Sequence, residues 1–180
     1  ARTRRARRSP SGSVPSGTAA LHMACAASGV GHGDIVVTSP NTFVASANCA
    51  LYVGARPEFT DINPETLNLD PVALERRCRQ LGGVKAIIPV HFAGLPCDMS
   101  AIKPVADRAG AVIIEDASHA IGATCPDGKR VGSCTHSDMA VFSFHPVKNI
   151  TCAEGGMVTT NDTARYKRLL QLRNHGITRE

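Results

Sequence analysis

Short apolar segments alternate along this chain with segments of helical pattern, and this alternation constrains the fold more than any other feature of the sequence. Short apolar strands separated by helices are typical of a mostly parallel sheet that is covered by helices on both faces. We therefore predict an α/β fold whose ligands bind beyond the carboxyl ends of the strands. The predicted strands are 35–39, 57–62, 84–90, 111–114, 139–143 and 156–160, and the predicted helices are 18–28, 42–52, one that begins at Pro71, 99–109, and one that follows Asp162 and runs to Arg173.

Several predicted helices carry residues that favour a helix end. Asp70 followed by Pro71 is a favoured pair at a helix start, because the carboxylate accepts from free N–H groups and proline needs no hydrogen-bond acceptor in the first turn. Gly110 can adopt the left-handed conformation that closes many helices. A chain of 180 residues is long enough for one such domain with a substantial core.

Residues 1–16 differ from the rest of the chain in composition. They are rich in Arg, Ser and Pro and lack apolar periodicity. The formal net charge of +5 equals the contribution of the arginines in the first eight residues, so the remainder is neutral. A basic arm can contact phosphate backbones, but no aromatic platform or recognition helix accompanies it, and we expect no nucleic-acid partner. We predict that residues 1–16 form a disordered basic arm that is dispensable for the fold.

Signals for a membrane or for export are not evident in the sequence. No run of about eighteen apolar residues predicts a membrane span, and no secretory signal pattern is present. The seven cysteines contain no C-x-x-C pair and suit a reducing compartment, so we expect a cytoplasmic protein. Cys125 and Cys134 lie near His119 and His136 in the sequence, but the spacing matches no common zinc site, and we predict no metal.

Polar residues occur where the predicted sheet should bind a ligand. These residues are Gly17 and Thr18 before the first helix, Asp116 after the strand 111–114, Ser143 at the end of the strand 139–143, and Lys148 in the loop that follows. Each has an ordinary explanation: a helix cap for the glycine, the threonine and the aspartate, a backbone hydrogen bond for the serine, and a solvated surface position for the lysine.

Together these residue types match the requirements of pyridoxal 5′-phosphate (PLP). Its phosphate is held by helix N–H groups and a hydroxyl, and its aldehyde requires a lysine amine. Its pyridine nitrogen requires a carboxylate that keeps it protonated, so that the ring can withdraw electrons. Phe43, after the strand 35–39, is available to cover one face of the ring. The residues therefore predict a PLP site.

Motifs in separate parts of the chain agree in order and spacing with one known family. They are Gly17-Thr18-Ala19-Ala20-Leu21, Pro40-Asn41-Thr42-Phe43, Glu115-Asp116-Ala117-Ser118-His119-Ala120 and Ser143-Phe144-His145-Pro146-Val147-Lys148-Asn149. In these motifs, and from about Gly17 to its end, the chain resembles the DegT/DnrJ/EryC1/StrS sugar aminotransferases. The strings 91–99 and 174–179 resemble the PseC branch, which aminates C4 of a UDP-linked 4-keto-6-deoxy-N-acetylhexosamine on the route to pseudaminic acid.

The resemblance implies a role for each candidate residue. Lys148 would bond covalently to PLP and then carry protons, and Asp116 would pair with the pyridinium nitrogen. Phe43 would stack on the ring. His119 stands where many relatives have Gln, beside the phenolic oxygen of the cofactor, although a packed histidine bonded to backbone is the alternative. The phosphate would be held by Gly17, Thr18 and Ser143.

The resemblance also implies the fold and the reaction. The fold would be the large domain of a fold-type I PLP transferase, working as a homodimer. The reaction would be transamination of a nucleotide-linked 4-keto-6-deoxy sugar, with glutamate as the amino donor, in cell-surface sugar biosynthesis. A dehydratase is not expected, because dehydratases of the family have histidine in place of Lys148.

Length and the amino-terminal residues depart from the family pattern. Relatives are longer and carry a small C-terminal domain that this chain lacks, and residues 1–16 do not resemble the family. We therefore expect residues 17–180 to form a partial PLP-binding large domain, preceded by residues that are not native to the family. The alternative function is that of a truncated, catalytically inactive remnant of such an enzyme.

Overall fold

The computed structural model describes residues 10–177, and in this range a seven-stranded sheet forms the centre of the molecule. The strands are β1 (Ser11–Val14), β2 (Ile35–Thr38), β3 (Arg56–Phe59), β4 (Ala86–Ile88), β5 (Val112–Asp116), β6 (Met139–Ser143) and β7 (Gly156–Thr160). The α-helices are α1 (Gly17–Ala27), α2 (Ala45–Tyr52), α3 (Pro71–Leu81), α4 (Met99–Ala109) and α5 (Thr163–Arg173), and a short 3₁₀ helix covers Phe92–Gly94.

The sheet is mostly parallel, as the sequence predicts. Its strand order is β1-β7-β6-β5-β4-β2-β3. The five strands β2, β3, β4, β5 and β6 are parallel to one another, whereas β7 is antiparallel to β6 and β1 is antiparallel to β7. Because β5 and β6 are parallel neighbours, their last residues, Asp116 and Ser143, end adjacent strands at the same edge of the sheet.

Successive residues of the central strands face two separate cores. In β4, Ala86 and Ile88 pack in a cluster with residues of α1, α2 and α5, whereas Ile87 packs in a second cluster with residues of α3 and α4. Ile113 and Ile114 of β5 divide between the two clusters in the same way. Side chains of a strand alternate between its faces, so a strand covered on both sides must be apolar throughout. The prediction of helices on both faces is confirmed.

Several predicted element ends shift at prolines. β4 ends at Ile88, short of the predicted Val90, because Pro89 has no N–H to donate to a neighbouring strand. β3 contains Pro57 and lies at the edge of the sheet, where a missing donor is tolerated. α2 begins later than predicted, because the chain before it makes a turn in which Thr42 N–H donates to the carbonyl of Pro40.

The expectation of disorder in residues 1–16 is wrong for the part that the structure describes. β1 pairs with β7 in a register that sets Ser11 opposite Thr159, and Val14 is buried in the core. Ser16 is the N-cap of α1, since its hydroxyl accepts from Ala19 N–H at 3.1 Å. Replacing such a cap with alanine costs about 1 kcal/mol. Residues 10–16 are therefore part of the fold, whereas residues 1–9 lie outside the described range.

Two other sequence expectations concern membranes and metals. No helix among residues 10–177 has the length and apolar character needed to cross a bilayer. Within the same range, no group of three or more His, Cys, Asp or Glu side chains is arranged to hold a metal ion. All seven cysteines are free thiols, and Cys125 and Cys134 are buried in the core on the α3–α4 side of the sheet.

Candidate active site

A cavity of about 480 Å³ lies where β5 and β6 end and α1 begins. It is at the carboxyl edge of the parallel strands, where α/β sheets bind their ligands. Every residue that the sequence singled out for the cofactor lines this cavity: Gly17, Thr18, Phe43, Asp116, His119, Ser143 and Lys148. The strand order thus brings together residues from four separate parts of the chain.

Two glycines let the amino end of α1 approach the sheet closely. A Cβ on Gly17 would lie 2.8 Å from the Cβ of Ser143. A Cβ on Gly156, the first residue of β7, would overlap the carbonyl oxygen of Ser16. Side chains at these two positions would push α1 away from the ends of β6 and β7. Glycine at both positions therefore fixes the start of α1 at the cavity.

The first turn of α1 presents backbone donors to the cavity. Ser16 satisfies one of the amides that a helix start leaves unpaired, because its hydroxyl accepts from Ala19 N–H, and its carbonyl accepts the first intrahelical bond, from Ala20 N–H. The N–H groups of Gly17 and Thr18 have no acceptor within the helix. The two residues line the cavity beside Ser143. Two amides, the positive end of a helix dipole and a hydroxyl make a site suited to a phosphate.

Asp116 is a buried carboxylate at the cavity wall, with only 5% of its surface exposed. One oxygen, Oδ2, accepts from the hydroxyl of Ser46 at 2.6 Å, and the other, Oδ1, accepts from Ser118 N–H at 3.1 Å. No ion pair joins it to a basic side chain among residues 10–177. A buried charge of this kind is costly unless a cation meets it.

The alternative role of Asp116 as a helix cap does not hold. Asp116 is the last residue of β5, and the chain continues from it into turns without an α-helix. The strand is longer than the predicted 111–114, because Asp116 N–H donates to the carbonyl of Pro89 and extends the pairing beyond β4. The position of the Asp116 carboxylate is therefore set by the pairing of β5 in the sheet.

Lys148 lies in the loop between β6 and β7, with its amine directed to His119. The Nζ atom of Lys148 is 2.7 Å from Nε2 of His119. Burial lowers the pKa of His119, and the positive charge of Lys148 lowers it further, against an opposing effect of Asp116. A neutral imidazole is therefore favoured, and its Nε2 accepts from the Lys148 ammonium. The half-buried Lys148 is thus directed to another residue of the cavity wall.

Phe43 lines the cavity from the turn that precedes α2, and 72% of its surface is exposed. A large apolar ring left open to solvent at a cavity wall is available to pack against a flat ligand. The adjacent Val44 is also exposed. The structure thus brings Phe43 to the same cavity as Asp116 and Lys148, as the sequence predicts.

The structure adds polar residues that the sequence analysis did not single out. Ser46 is fully buried and donates to Asp116, and Thr42 lines the cavity and contacts Ser46. A serine inside a predicted helix carries no signal of such a contact. Ser118 stands two residues from Asp116, and this spacing, which allows a carboxylate to accept from a nearby backbone N–H, was the one available sequence signal. Ser16, His145 and Glu154 also line the cavity.

A buried His–Glu pair adjoins the cavity, which His91 lines. His91 and Glu115 are almost completely buried, and His91 Nε2 is 2.9 Å from Glu115 Oε2. Because Cys97 N–H donates to Nδ1 of His91, the ring proton is on Nε2 and is donated to the carboxylate. The second carboxylate oxygen of Glu115 accepts from the hydroxyl of Ser137. Backbone N–H of His91 donates to the carbonyl of Asp116, so the pair anchors the end of β5.

The contact with Lys148 makes a prediction about the titration of His119. Replacing Lys148 with methionine removes the positive charge and should raise the pKa of His119, which stays below its usual value of about 6.5 because burial still acts on it. Histidine NMR titration of the cofactor-free protein measures this, and His136, which pairs with Asp127, is the control. An unaltered His119 titration in the variant would contradict the contact.

The direction of the pKa shift also fixes the effect of pH on stability. The pKa of His119 is lower in the folded protein than in the unfolded chain, so the unfolded chain binds this proton more tightly. His119 therefore disfavours the folded state as the pH falls below its unfolded pKa. It contributes no pH dependence above that value.

Fold and cavity together define the class of this protein. A mostly parallel sheet with helices on both faces, with a carboxylate, a lysine and a helix start at one cavity, is the architecture of the large domain of fold-type I PLP-dependent transferases. The sequence matches the DegT/DnrJ/EryC1/StrS aminotransferase family over residues 10–180. The chain belongs to this family. Since the match begins at residue 10, the expectation that residues 1–16 are foreign to the family is wrong for residues 10–16.

Individual relatives agree with this assignment. The spore coat polysaccharide biosynthesis protein SpsC of Bacillus subtilis (strain 168) is 44% identical over 166 residues, which are 92% of this chain and 41% of SpsC. Helicobacter pylori PseC, an aminotransferase involved in the biosynthesis of pseudoaminic acid, has a TM-score of 0.85 at 32% identity, covering 94% of this chain and 45% of PseC. NtdA from Bacillus subtilis, solved with bound cofactor PMP, has a TM-score of 0.81 at 33% identity, covering 89% of this chain and 35% of NtdA. The chain thus spans less than half the length of each.

Proposed function

We propose that this chain binds PLP in the cavity and supplies the cofactor half of a transamination site for a nucleotide-linked keto-sugar. The proposal rests on the convergence in one cavity of Asp116, a buried carboxylate without a basic partner among the described residues, with Lys148 and the open first turn of α1. These groups fit the pyridine nitrogen, the aldehyde and the phosphate of PLP, respectively. When bound, PLP supplies an electron sink for the carbanion that forms when a proton leaves the amino-bearing carbon.

The phosphate would be held at the start of α1. The amides of Gly17 and Thr18 would donate to it, and the hydroxyls of Thr18 and Ser143 would add further donors. The close approach of α1 to β6 and β7, which requires Gly17 and Gly156, keeps these donors in place before any ligand arrives. Pre-formed donors of this kind orient the reactive end of a cofactor without further ordering of the chain.

Asp116 would keep the pyridine nitrogen protonated. Its carboxylate is fixed by Ser46 and Ser118 and is nearly sealed from water, so a nearby proton on nitrogen is strongly favoured. Phe43 would cover one face of the ring. Its exposure of 72% leaves room for this contact.

Lys148 would bond covalently to the cofactor and then transfer protons at the reacting carbon. His119 holds the Lys148 amine at 2.7 Å, and its lowered pKa keeps the imidazole neutral. A neutral imidazole accepts the lysine proton when the amine becomes the nucleophile, because only the free amine attacks a carbonyl. When the amine of the donor replaces Lys148 on the cofactor, the Lys148 amine is released in its neutral form and could then act as the base.

We propose a UDP-linked 4-keto-6-deoxy-N-acetylhexosamine as the amino acceptor and glutamate as the donor. The printed roles of SpsC and PseC, in polysaccharide and pseudoaminic acid biosynthesis, support a sugar substrate. The strings 91–99 and 174–179 support the PseC branch in particular. The pathway would then be the biosynthesis of a cell-surface sugar of the pseudaminic acid type.

We also propose that the protein acts as a homodimer in the cytoplasm. Much apolar surface is exposed by Phe43 and Val147 at the cavity wall and by Val44 and Ile150, which are close to them in the sequence. Clustered exposed apolar side chains are typical of an interaction surface, and a second subunit would cover them. The seven free thiols support a reducing compartment.

Borohydride trapping followed by peptide mass spectrometry tests the cofactor site. Protein that has been mixed with PLP and reduced should carry one pyridoxyl group, on Lys148, with the other lysines as internal controls. A second assay supplies glutamate and either a UDP-linked or a dTDP-linked 4-keto sugar and measures the 4-amino sugar and 2-oxoglutarate. Labelling elsewhere, or none, contradicts the PLP site. Labelling of Lys148 without product from either sugar would instead identify an inactive remnant.

A further inference from the structure

We propose that Ser46, on α2, is a positioning residue that holds Asp116 ionised and oriented toward the cavity. Ser46 is fully buried and does not line the cavity. Its hydroxyl lies 2.6 Å from Oδ2 of Asp116. The two residues are 70 positions apart in the sequence, so the contact exists only in the folded protein. The inference rests on the proposed function for its catalytic meaning, but the contact itself does not require a cofactor.

The direction of the hydrogen bonds follows from chemistry. An ionised carboxylate only accepts, so the single proton of the Ser46 hydroxyl is donated to Asp116. Thr42 Oγ1 lies 2.7 Å from Ser46 Oγ, and because the Ser46 proton is already committed, Thr42 must donate to Ser46. The result is a relay that runs from Thr42 at the cavity wall through Ser46 to Asp116. Each donor polarises the next and strengthens the bond to the carboxylate.

The burial of Asp116 gives this relay its importance. Among residues 10–177 the carboxylate has no ion-pair partner, so hydrogen bonds must stabilise its charge. The Ser46 hydroxyl donates to one carboxylate oxygen and Ser118 N–H donates to the other. The two hydrogen bonds together fix the rotation of the carboxyl group. Ser46 stands in the first turn of α2, whose dipole adds positive potential near Oδ2. Removal of the hydroxyl would leave Oδ2 buried with one donor fewer.

Two consequences follow for Ser46→Ala. Loss of a hydrogen bond to a charged group should raise the proton affinity of the Asp116 carboxylate about tenfold or more. When the cofactor is bound, a more basic Asp116 competes better for the proton shared with the pyridine nitrogen. The ring then withdraws electrons less well, and the pH midpoint of the visible cofactor band should move upward.

Infrared difference spectroscopy of the cofactor-free protein provides the first test. The carbonyl stretch of protonated Asp116 is identified by its absence in Asp116→Asn and is followed through an acid titration. Ser46→Ala should show this signal at higher pH than the unsubstituted protein, and Ser46→Thr, which keeps the hydroxyl, should not. Cys49→Ala is the matched control. It also removes one buried heavy atom from α2, and the Cys49 thiol donates to the carbonyl of Ser46 without a hydrogen bond to Asp116.

Absorbance titration of the PLP-treated variants is the second test. We expect the band midpoint to rise in Ser46→Ala and, by a smaller amount, in Thr42→Val, and to stay unchanged in Ser46→Thr and Cys49→Ala. Equal shifts in Ser46→Ala and Cys49→Ala would mean that α2 packing is responsible and would overturn the proposal. If Ser46→Ala does not fold, Thr42→Val decides, and an unshifted infrared titration in that variant overturns the relay. Absence of any visible band in all proteins, with the infrared shift present, would refute PLP binding while leaving the Ser46 contact established.

Discussion

Protein with Lys148 replaced by alanine should lose the visible absorption band that PLP gives with the unsubstituted chain, together with all measurable transamination. The band requires a C–N bond between the cofactor and Lys148 Nζ, and an alanine side chain offers no nitrogen. Lys148 is also the proposed base at the reacting carbon, so both functions disappear together. We expect a loss of several orders of magnitude in turnover, the largest effect of any single substitution in this chain. Absorbance spectra and the two-sugar assay measure the two losses.

Lys103→Ala is the matched control for this experiment. Lys103 lies on α4, pairs with Asp107 on the same helix and is remote from the cavity. It should retain the full band and full turnover. A normal band in Lys148→Ala would show that another amine binds the cofactor and would refute the assignment of Lys148.

Asp116→Asn should reduce transamination by orders of magnitude while leaving part of the cofactor bound. Asparagine keeps the shape of the side chain, and its amide oxygen can still accept from Ser46 or Ser118. It carries no charge, however, so it cannot hold the pyridinium proton, and the carbanion loses its electron sink. Phosphate contacts at Gly17 and Thr18 are unaffected, which is why binding should fall far less than turnover.

The comparison of turnover with affinity decides between two roles for Asp116. Single-turnover conversion of the bound cofactor by glutamate measures the chemical step, and titration with PLP measures the affinity. Asp127→Asn, which removes an exposed carboxylate paired with His136, should change neither quantity. Near-normal conversion in Asp116→Asn would show that the carboxylate has only a structural role in β5.

The predictions for substitutions of Lys148, Asp116 and Ser46 concern one connected set of groups. Ser46 and Ser118 hold Asp116, and His119 holds Lys148. Effects of substitutions in such a set are not additive, because each side chain depends on its neighbour for its orientation. The Ser46→Ala effect should therefore vanish in the Asp116→Asn background. A double-mutant cycle over these two positions measures that coupling.

Several features of this protein were determined by local sequence. Apolar strands such as Ala86–Ile88 must be covered on both faces, because neither alternate set of side chains is polar. Asp70 caps the start of α3 and Gly110 caps the end of α4, as the sequence predicts. A cap acts on amides or carbonyls only a few residues away, so local sequence is enough to predict it. The candidate cofactor residues were also predicted from sequence, since they stand at the start of a helix, at the end of a strand or, like Lys148, in the loop that follows a strand. Their individual roles remain predictions.

Tertiary structure decided the features whose partners are distant along the chain. β1 consists of Ser11, Gly12, Ser13 and Val14, which show no strand pattern, and it is a strand because β7 offers an unpaired edge. The fully buried Ser46 has the sequence signature of any helical serine until β5 places Asp116 beside its hydroxyl. Hydrogen-bond partners of this kind are set by strand order and helix placement, and these depend on the packing of the whole sheet. Local sequence therefore determined most of the strands, helices and caps, whereas the assembled sheet determined β1 and which polar groups meet within 3 Å of one another.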